Sequence, residues 1–317
     1  MNSVVSIYFY YPNEIPIKID YKSGLDCWVL KTFWKLKESK SNLNIHLVNY
    51  IPNEGIIIFH KGFFPQNIKP TENQLFVCIQ ADYGRYKYAQ CHIAQNPVGV
   101  SNFKFSKRSY IEEKLFAFSQ NFFVAHWNQD KIIRRNSLRN PVLKNLCFYG
   151  ITQNFPSDLL SLNFKEQLKN EEIELHVITD SNQWNDYSTA DCVLAIRDFS
   201  NKPHYNKPFS KIINSYLAGV PVIAGNESSA IFLNKKIGIR FPIVRNSEEC
   251  LNAIKSIKRE YTNQLNNVIV DAVKLNPYND ERITEDWNNL FLTLQGTYLK
   301  WRNSPKLIRK IYFQFRK

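Results

Sequence analysis

The chain runs twice through one rhythm: a short, continuously apolar run, a turn, then a segment with apolar residues at helical spacing. In the first half the apolar runs are "VVSIYFYY", "NIHLVNYI", "GIIIFHKG", "LFVCIQAD", "QCHIAQN" and "NFFVAHWNQ". Helices are predicted over "SGLDCWVLKTFWKLKES" and "RSYIEEKLFAFS". In the second half "NLCFYGI", "IELHVIT", "CVLAIRD", "VPVIAG" and "IRFPIV" alternate with helical patterns over "PSDLLSLNFKEQLKN", "PFSKIINSYLA", "SSAIFLNKK" and "SEECLNAIKSIKREY". A strand that is apolar on both faces must be covered on both, and intervening helices supply that cover. The fold class expected is therefore α/β, with two doubly wound Rossmann-like domains facing a central cleft. A chain of 317 residues is long for a single core, which agrees with two domains. The boundaries expected are residues 1–140, residues 141–285 and a helical, basic tail over 286–317. "KIIRRNSLRNP" reads as the connection between the domains.

With 44% hydrophobic residues the chain has ample core material, and disorder is excluded. The formal net charge of +13 points to anionic partners: nucleotides, phosphorylated substrates, nucleic acid or an anionic membrane surface. The six cysteines are scattered through apolar runs with no paired spacing, as expected of free core thiols in a reducing cytoplasm. "VVSIYFYY" lacks the basic flank and cleavage site of a signal peptide, and no run reaches the roughly 18 apolar residues that span a bilayer. A soluble or peripheral cytoplasmic protein is expected.

Open parallel sheets bind ligands beyond the carboxyl ends of their strands, so the loops of interest are "SGLD", "HKG", "ADYGR", "HWNQD", "YGITQ", "RDFSNKPHYNKP" and "GNESS". One of them poses an electrostatic problem. In "KPFSKIINSYLAGVPVIAG", Lys207 and Lys211 stand at the start of a predicted helix, where the macrodipole disfavours cations. Pro208 suits the first helical turn, and Gly219 with Pro221 ends the helix. No acidic residue occurs from Phe199 to Asn226, while Lys202, His204, Lys207 and Lys211 do. A phosphate or diphosphate bound there turns repulsion into attraction. The plain alternative is a pair of solvated lysines, at a cost of a few tenths to about 1 kcal/mol. After the next strand, Asn226, Glu227, Ser228 and Ser229 offer amides, hydroxyls and one carboxylate, or else an ordinary helix cap.

The segment "KPFSKIINSYLAGVPVIAG" resembles the donor site of GT-B glycosyltransferases, and "WNDYSTADCVLAIRD" and "HWNQDKIIRR" resemble bacterial sugar transferases of the surface-polysaccharide type. The resemblance covers residues 120–260, and the N-terminal part only in its strand rhythm. It implies a second domain that grips a nucleotide diphosphate and a first domain that holds the acceptor. Carried over by position, Lys211 contacts the donor phosphates, Arg197 and Lys207 assist, and "GNESS" lines the nucleotide or sugar pocket. Asn206 and Asn214 stand where many retaining members carry two glutamates, a departure that puts the retaining mechanism in doubt.

Deprotonating an acceptor hydroxyl takes a general base. Asp82 is the first candidate, because "ADYGRYKY" sets it beside Arg85 at a strand end; His60 and Asp26 follow, and His126 lies in a comparable loop. For each, the alternative is a loop residue paired locally. Neither a metal-ligand pattern nor a Walker A or GxSxG sequence appears, so no metal or other cofactor is expected beside the nucleotide-sugar donor. In the tail, Lys300, Arg302, Lys306, Arg309, Lys310, Arg316 and Lys317 interleave with aromatic and aliphatic residues. Such a stretch either lies on an anionic membrane or packs back on the first domain. The expected function is transfer of a monosaccharide from a nucleotide diphosphate to a hydroxyl of a growing surface glycan, with a lipid-linked acceptor suited to a membrane-facing tail. A nucleotide-sugar epimerase or hydrolase of the same fold and a basic nucleic-acid-binding protein are the alternatives; nucleic acid is not an expected partner of the transferase.

Overall fold

The structure, a computed structural model, describes residues 5–16, 23–39, 43–100, 107–200 and 202–316, without the side chains of 107–109. The chain forms two compact units. The first takes residues up to Trp127 and from Asp280 onward, and the second takes Asn128–Asn279.

In the first unit the predicted strands and helices are all present. β1 is Ile7–Tyr10, α1 is Lys31–Glu38 with a wider helical turn over Asp26–Leu30 before it, β2 is Ile45–Val48 and β3 is Gly55–His60. β4 (Gln74–Ile79), β5 (Cys91–Ala94), α2 (Lys107–Leu115) and β6 (Gln120–Phe123) follow. The sheet is parallel, in the order β2-β1-β3-β4-β5-β6. Every residue of β3 and β4 is buried, the reason both read as unbroken apolar runs. The strand order reverses between β1 and β3, and their carboxyl ends mark where an open sheet receives ligands.

The second unit repeats that winding. β7 (Asn145–Tyr149), α3 (Leu162–Asn170), β8 (Glu174–Ile178), β9 (Cys192–Ala195) and α4 (Ser210–Leu217) are followed by β10 (Val222–Gly225). Then come α5 (Ser228–Phe232), β11 (Ile243–Val244), α6 (Ser247–Arg259) and α7 (Tyr261–Ala272). The order β11-β10-β9-β7-β8 is again parallel and reverses between the first and third strands, here β7 and β9. Leu146, Phe148, Leu194, Ile196, Ile223 and Ile254 fill the core beside the sheet.

The boundary lies at 127/128 rather than at 140/141. The basic stretch expected to be a connection is instead structural. Asp191 is fully buried and accepts from Arg135 Nη2 and Arg139 Nη2, both at 3.1 Å, and from the amides of Lys144 (3.1 Å) and Asn145 (2.9 Å). A buried carboxylate needs such partners, and residues 131–141 supply the cations.

The second boundary, expected at 285/286, falls at 279/280. α8 (Asp280–Arg302) and α9 (Lys306–Phe315) return to the first unit. Trp287 and Phe291 pack on Phe9 with ring centroids 6.2 Å apart in each case. Trp301 Nε1 donates to Thr71 O at 2.9 Å and Tyr312 Oη to Ala89 O at 2.9 Å. Arg316 Nη2 reaches Glu112 Oε2 at 2.6 Å with both side chains buried, and Arg309 reaches Glu72 at 2.7 Å. Packing thus consumes Trp301, Tyr312, Arg309 and Arg316. Lys300, Arg302, Lys306 and Lys310 stay exposed, and Lys317 lies outside the described residues.

All six cysteines are unpaired thiols, five of them buried; burial pushes Cys78 up to about 12. Among the described residues no helix is long and apolar enough to cross a membrane.

Candidate active site

In the second unit the sequence's misplaced lysine sits at the topological switch point. α4 starts at Ser210, two residues later than Pro208 suggests, and no side chain caps it. Its exit follows the expectation: Gly219 adopts φ +76° and its N–H bonds Tyr216 O at 3.0 Å. Lys211, in the first turn, lays its ammonium 4.0 Å from the centroid of the Phe148 ring on β7. It also sits against Gly150, where a Cβ would come within 3.0 Å of Nζ; φ there is +151°. Among the described residues no carboxylate pairs with Lys211. Burial first, then the charges of Arg197 and Lys207, bring its pKa down to about 7, with Glu227 pulling the other way. Lys207 precedes the helix in a turn, its N–H bonded to His204 O at 2.9 Å.

The remaining donor-side candidates cluster here with altered roles. Arg197, just past β9, is paired with Glu227 and is not held open for an anion. Glu227 itself is buried, and its second oxygen, Oε1, has no hydrogen-bond partner. That oxygen can accept from a ligand hydroxyl or N–H. The first amide of α5 is not open either: Ser228 N donates to Pro203 O at 2.9 Å. Ser229 is buried in the wall of a small depression shared with Arg197, Phe209, Lys211 and Glu227. Asn226 is half-buried at the end of β10, its amide bonded to Val244 O at 3.1 Å. Asn214 turns away from any ligand role, exchanging two 3.3 Å hydrogen bonds with Gln129.

In the first unit the candidates separate by chemistry. Asp26 is engaged in a capping network: Oδ1 accepts from Tyr11 Oη at 2.9 Å and Oδ2 from Ser23 Oγ at 2.7 Å, while Asp26 N donates back to Ser23 Oγ. His60 ends β3, where it is buried, and burial lowers its pKa to about 4 against the pull of Asp82. Its Nδ1 accepts from Gly62 N–H at 3.2 Å, so the proton of the neutral ring is on Nε2. His60 is thereby a hydrogen-bond donor. Asp82 is exposed in the turn after β4, with Oδ1 held by Gln95 Nε2 at 3.0 Å. Arg85 does not join it; it bonds Asn121 at 2.7 Å and Glu112 at 3.0 Å. His126 donates from Nδ1 to Trp127 O at 2.7 Å, and burial lowers its pKa.

Sequence reasoning picked out the loop "YGITQ" that holds Gly150 but missed Phe148 and the contact both make with Lys211, more than sixty positions downstream. A glycine directly after an apolar strand was the available signal. Among the described residues no three His, Cys, Asp or Glu side chains converge to hold a metal ion.

No family model matches the chain, and no curated protein matches it in sequence. Solved structures do match in fold. HepE of Anabaena, in complex with UDP and glucose, is 11% identical with a TM-score of 0.53, covering 92% of this chain and 100% of that one. WaaB, a lipopolysaccharide outer core galactosyltransferase, is 9% identical with a TM-score of 0.53 over 91% of this chain and 98% of its own. TarM is 12% identical with a TM-score of 0.50 over 76% of this chain; the chain spans about half of TarM, 56% of its length. At such identities the likeness is one of fold, and the two doubly wound α/β units make up a GT-B fold.

Proposed function

We propose that the chain is a glycosyltransferase that moves a monosaccharide from a nucleotide diphosphate to a hydroxyl of a surface glycan. The observation that carries this reading is Lys211: an ammonium packed on Phe148, at the switch point of a parallel sheet, with Arg197 and Lys207 for neighbours, the nearby Glu227 taken by Arg197, and no carboxylate paired with it among the described residues. A diphosphate supplies the missing charge. In the reaction the acceptor oxygen bonds the anomeric carbon, the bond from that carbon to the diphosphate oxygen breaks, and the acceptor proton passes to Asp82. Negative charge grows on the departing diphosphate, and Lys211 and Lys207 stabilise it there, so the step invokes no metal ion. Glu227 Oε1 accepts from a hydroxyl of the nucleotide or sugar. Asp82 suits the base because its carboxylate is exposed and ordered by Gln95, whereas Asp26 is consumed by its cap.

A fold-mate solved with UDP and glucose makes a uridine diphosphate sugar the first donor to test, and a lipopolysaccharide galactosyltransferase among the others favours a lipid-linked surface glycan as acceptor. The outward face of α9 agrees with that acceptor. Leu307 (66% exposed), Ile308 and Ile311 form an apolar stripe bordered by Lys306 and Lys310. We assign this face to the anionic inner surface of the cell membrane, the protein being cytoplasmic.

Calorimetry with UDP tests the donor site. Lys211→Ala should weaken binding by about 1.5 to 3 kcal/mol, the range for hydrogen bonds to charged groups. Unchanged affinity refutes the assignment. Turnover of donor without acceptor would favour the epimerase or hydrolase, and salt-sensitive binding of nucleic acid with none of UDP would favour the nucleic-acid reading.

A further inference from the structure

We infer that the carboxyl ends of β3 and β4 form a platform for one saccharide ring of the acceptor: Tyr83 and Phe63 stack on its C–H face while His60 and Asp82 bond its hydroxyls. The inference rests on the transferase reading and names the chemistry of its acceptor side.

The large aromatic side chains of the first unit are mostly core, yet two at adjacent strand ends are not. Tyr83 is 50% exposed and Phe63 42%. Both flank the His60 ring, with centroids at 5.7 Å and 84° for Tyr83 and 5.1 Å and 53° for Phe63. The Tyr83 ring rests on Gly62, where a Cβ would fall 2.7 Å from its carbons, so only glycine lets the ring lie there. Gly24 borders the imidazole without being required there, since a Cβ at that position would stand in ordinary contact 3.5 Å from Nε2, the one ring N–H that is not otherwise bonded. Asp82, beside Tyr83, is fixed by Gln95, itself only 4% exposed. The turn presenting both is closed by Tyr83 N–H to Gln80 O at 2.8 Å, with Ala81 at φ +46°.

An aromatic surface edged by a carboxylate and a neutral N–H donor matches a pyranose, which has an apolar C–H face and a rim of hydroxyls. A phosphate would meet the Asp82 charge. An alkyl chain would leave both polar groups without partners in a desolvated contact.

The test is saturation-transfer NMR with a mixture of the methyl glycosides of glucose, galactose, mannose, rhamnose and N-acetylglucosamine, alongside UDP calorimetry on the same samples. Wild type should transfer saturation to ring C–H protons of at least one glycoside. Tyr83→Ala and Phe63→Ala should each weaken that glycoside about three- to tenfold, from the worth of a stacked aromatic contact, while UDP affinity stays unchanged and certifies the fold. No transfer to any glycoside from protein that binds UDP overturns the platform and leaves the donor reading intact. Transfer that survives both substitutions also overturns it. Aromatic-dependent glycoside binding without UDP binding supports the platform and removes the transferase reading instead.

Discussion

Raising the pH from 7 to 9 should weaken binding of a nucleoside diphosphate by tens of fold, because the principal cation of the site loses its proton in that range. Free Lys211 has its pKa lowered from 10.5 to about 7, chiefly by burial and then by Arg197 and Lys207. At pH 8 roughly nine in ten copies of the free protein therefore carry a neutral amine. A diphosphate beside it restores the cation, so binding takes up nearly one proton at pH 8 and much less at pH 6. If the bound form stays protonated, affinity falls about 50-fold between pH 7 and 9. Stability of the free protein moves the other way. The folded pKa lies below the unfolded one, so between about 7 and about 10.5 the unfolded chain binds more protons and the folded state gains stability as pH rises. The assay is calorimetry with UDP at pH 8 in buffers of differing ionisation enthalpy, whose heats report the proton count. Equal heats in all buffers, or an affinity that is flat from pH 7 to 9, would refute the reasoning. So would a Lys211→Ala variant that keeps the wild-type slope.

Gly150→Ala should lower UDP affinity by up to about tenfold, since the new Cβ, 3.0 Å from Lys211 Nζ, pushes the ammonium off the position proposed to meet the diphosphate; calorimetry would detect this, and wild-type affinity would show that the amine position is immaterial. Arg316→Ala should cost about 3 to 5 kcal/mol of stability, the penalty for stranding the buried Glu112 carboxylate, read as a lower midpoint in urea unfolding. A loss below 1 kcal/mol would mean that Arg85 alone satisfies Glu112. Replacing Leu307 and Ile311 together by Asp should abolish co-sedimentation with vesicles rich in phosphatidylglycerol while leaving UDP binding intact; undiminished pelleting would remove α9 from the membrane.

Local pattern and long-range pairing divide what could be read in advance. β3 and β4 announced themselves because every residue in them is buried, and α4 because Gly219 and Pro221 end it so sharply. The domain boundary did not, because residues 131–141 look like a solvated linker until Asp191, some fifty positions on, is seen to need Arg135 and Arg139. Arg85 likewise bypasses its neighbour Asp82 for Glu112, and Arg197 meets Glu227 thirty positions away. Charge at a strand end is visible in a sequence, whereas its partner is not.

Topology supplies what those pairings withheld. Both units wind their sheets so that the order reverses between the first and third strands, and each unit's candidate groups gather at the ends of those strands and the loops beside them. In the second unit that position holds Lys211, Arg197 and Lys207; in the first it holds His60 with Asp26, and Asp82 one strand further. One winding thus presents in one unit the ammonium of Lys211, with no carboxylate paired to it among the described residues once Arg197 has taken Glu227, and in the other the exposed carboxylate of Asp82 with a neutral imidazole, Asp26 being held in its cap. A diphosphate is attracted to the first surface and repelled by the second, while a hydroxyl to be deprotonated needs the reverse. On the proposed transferase reading, that difference in sign favours the donor at the second unit and the acceptor at the first, independently of which sugar either one carries.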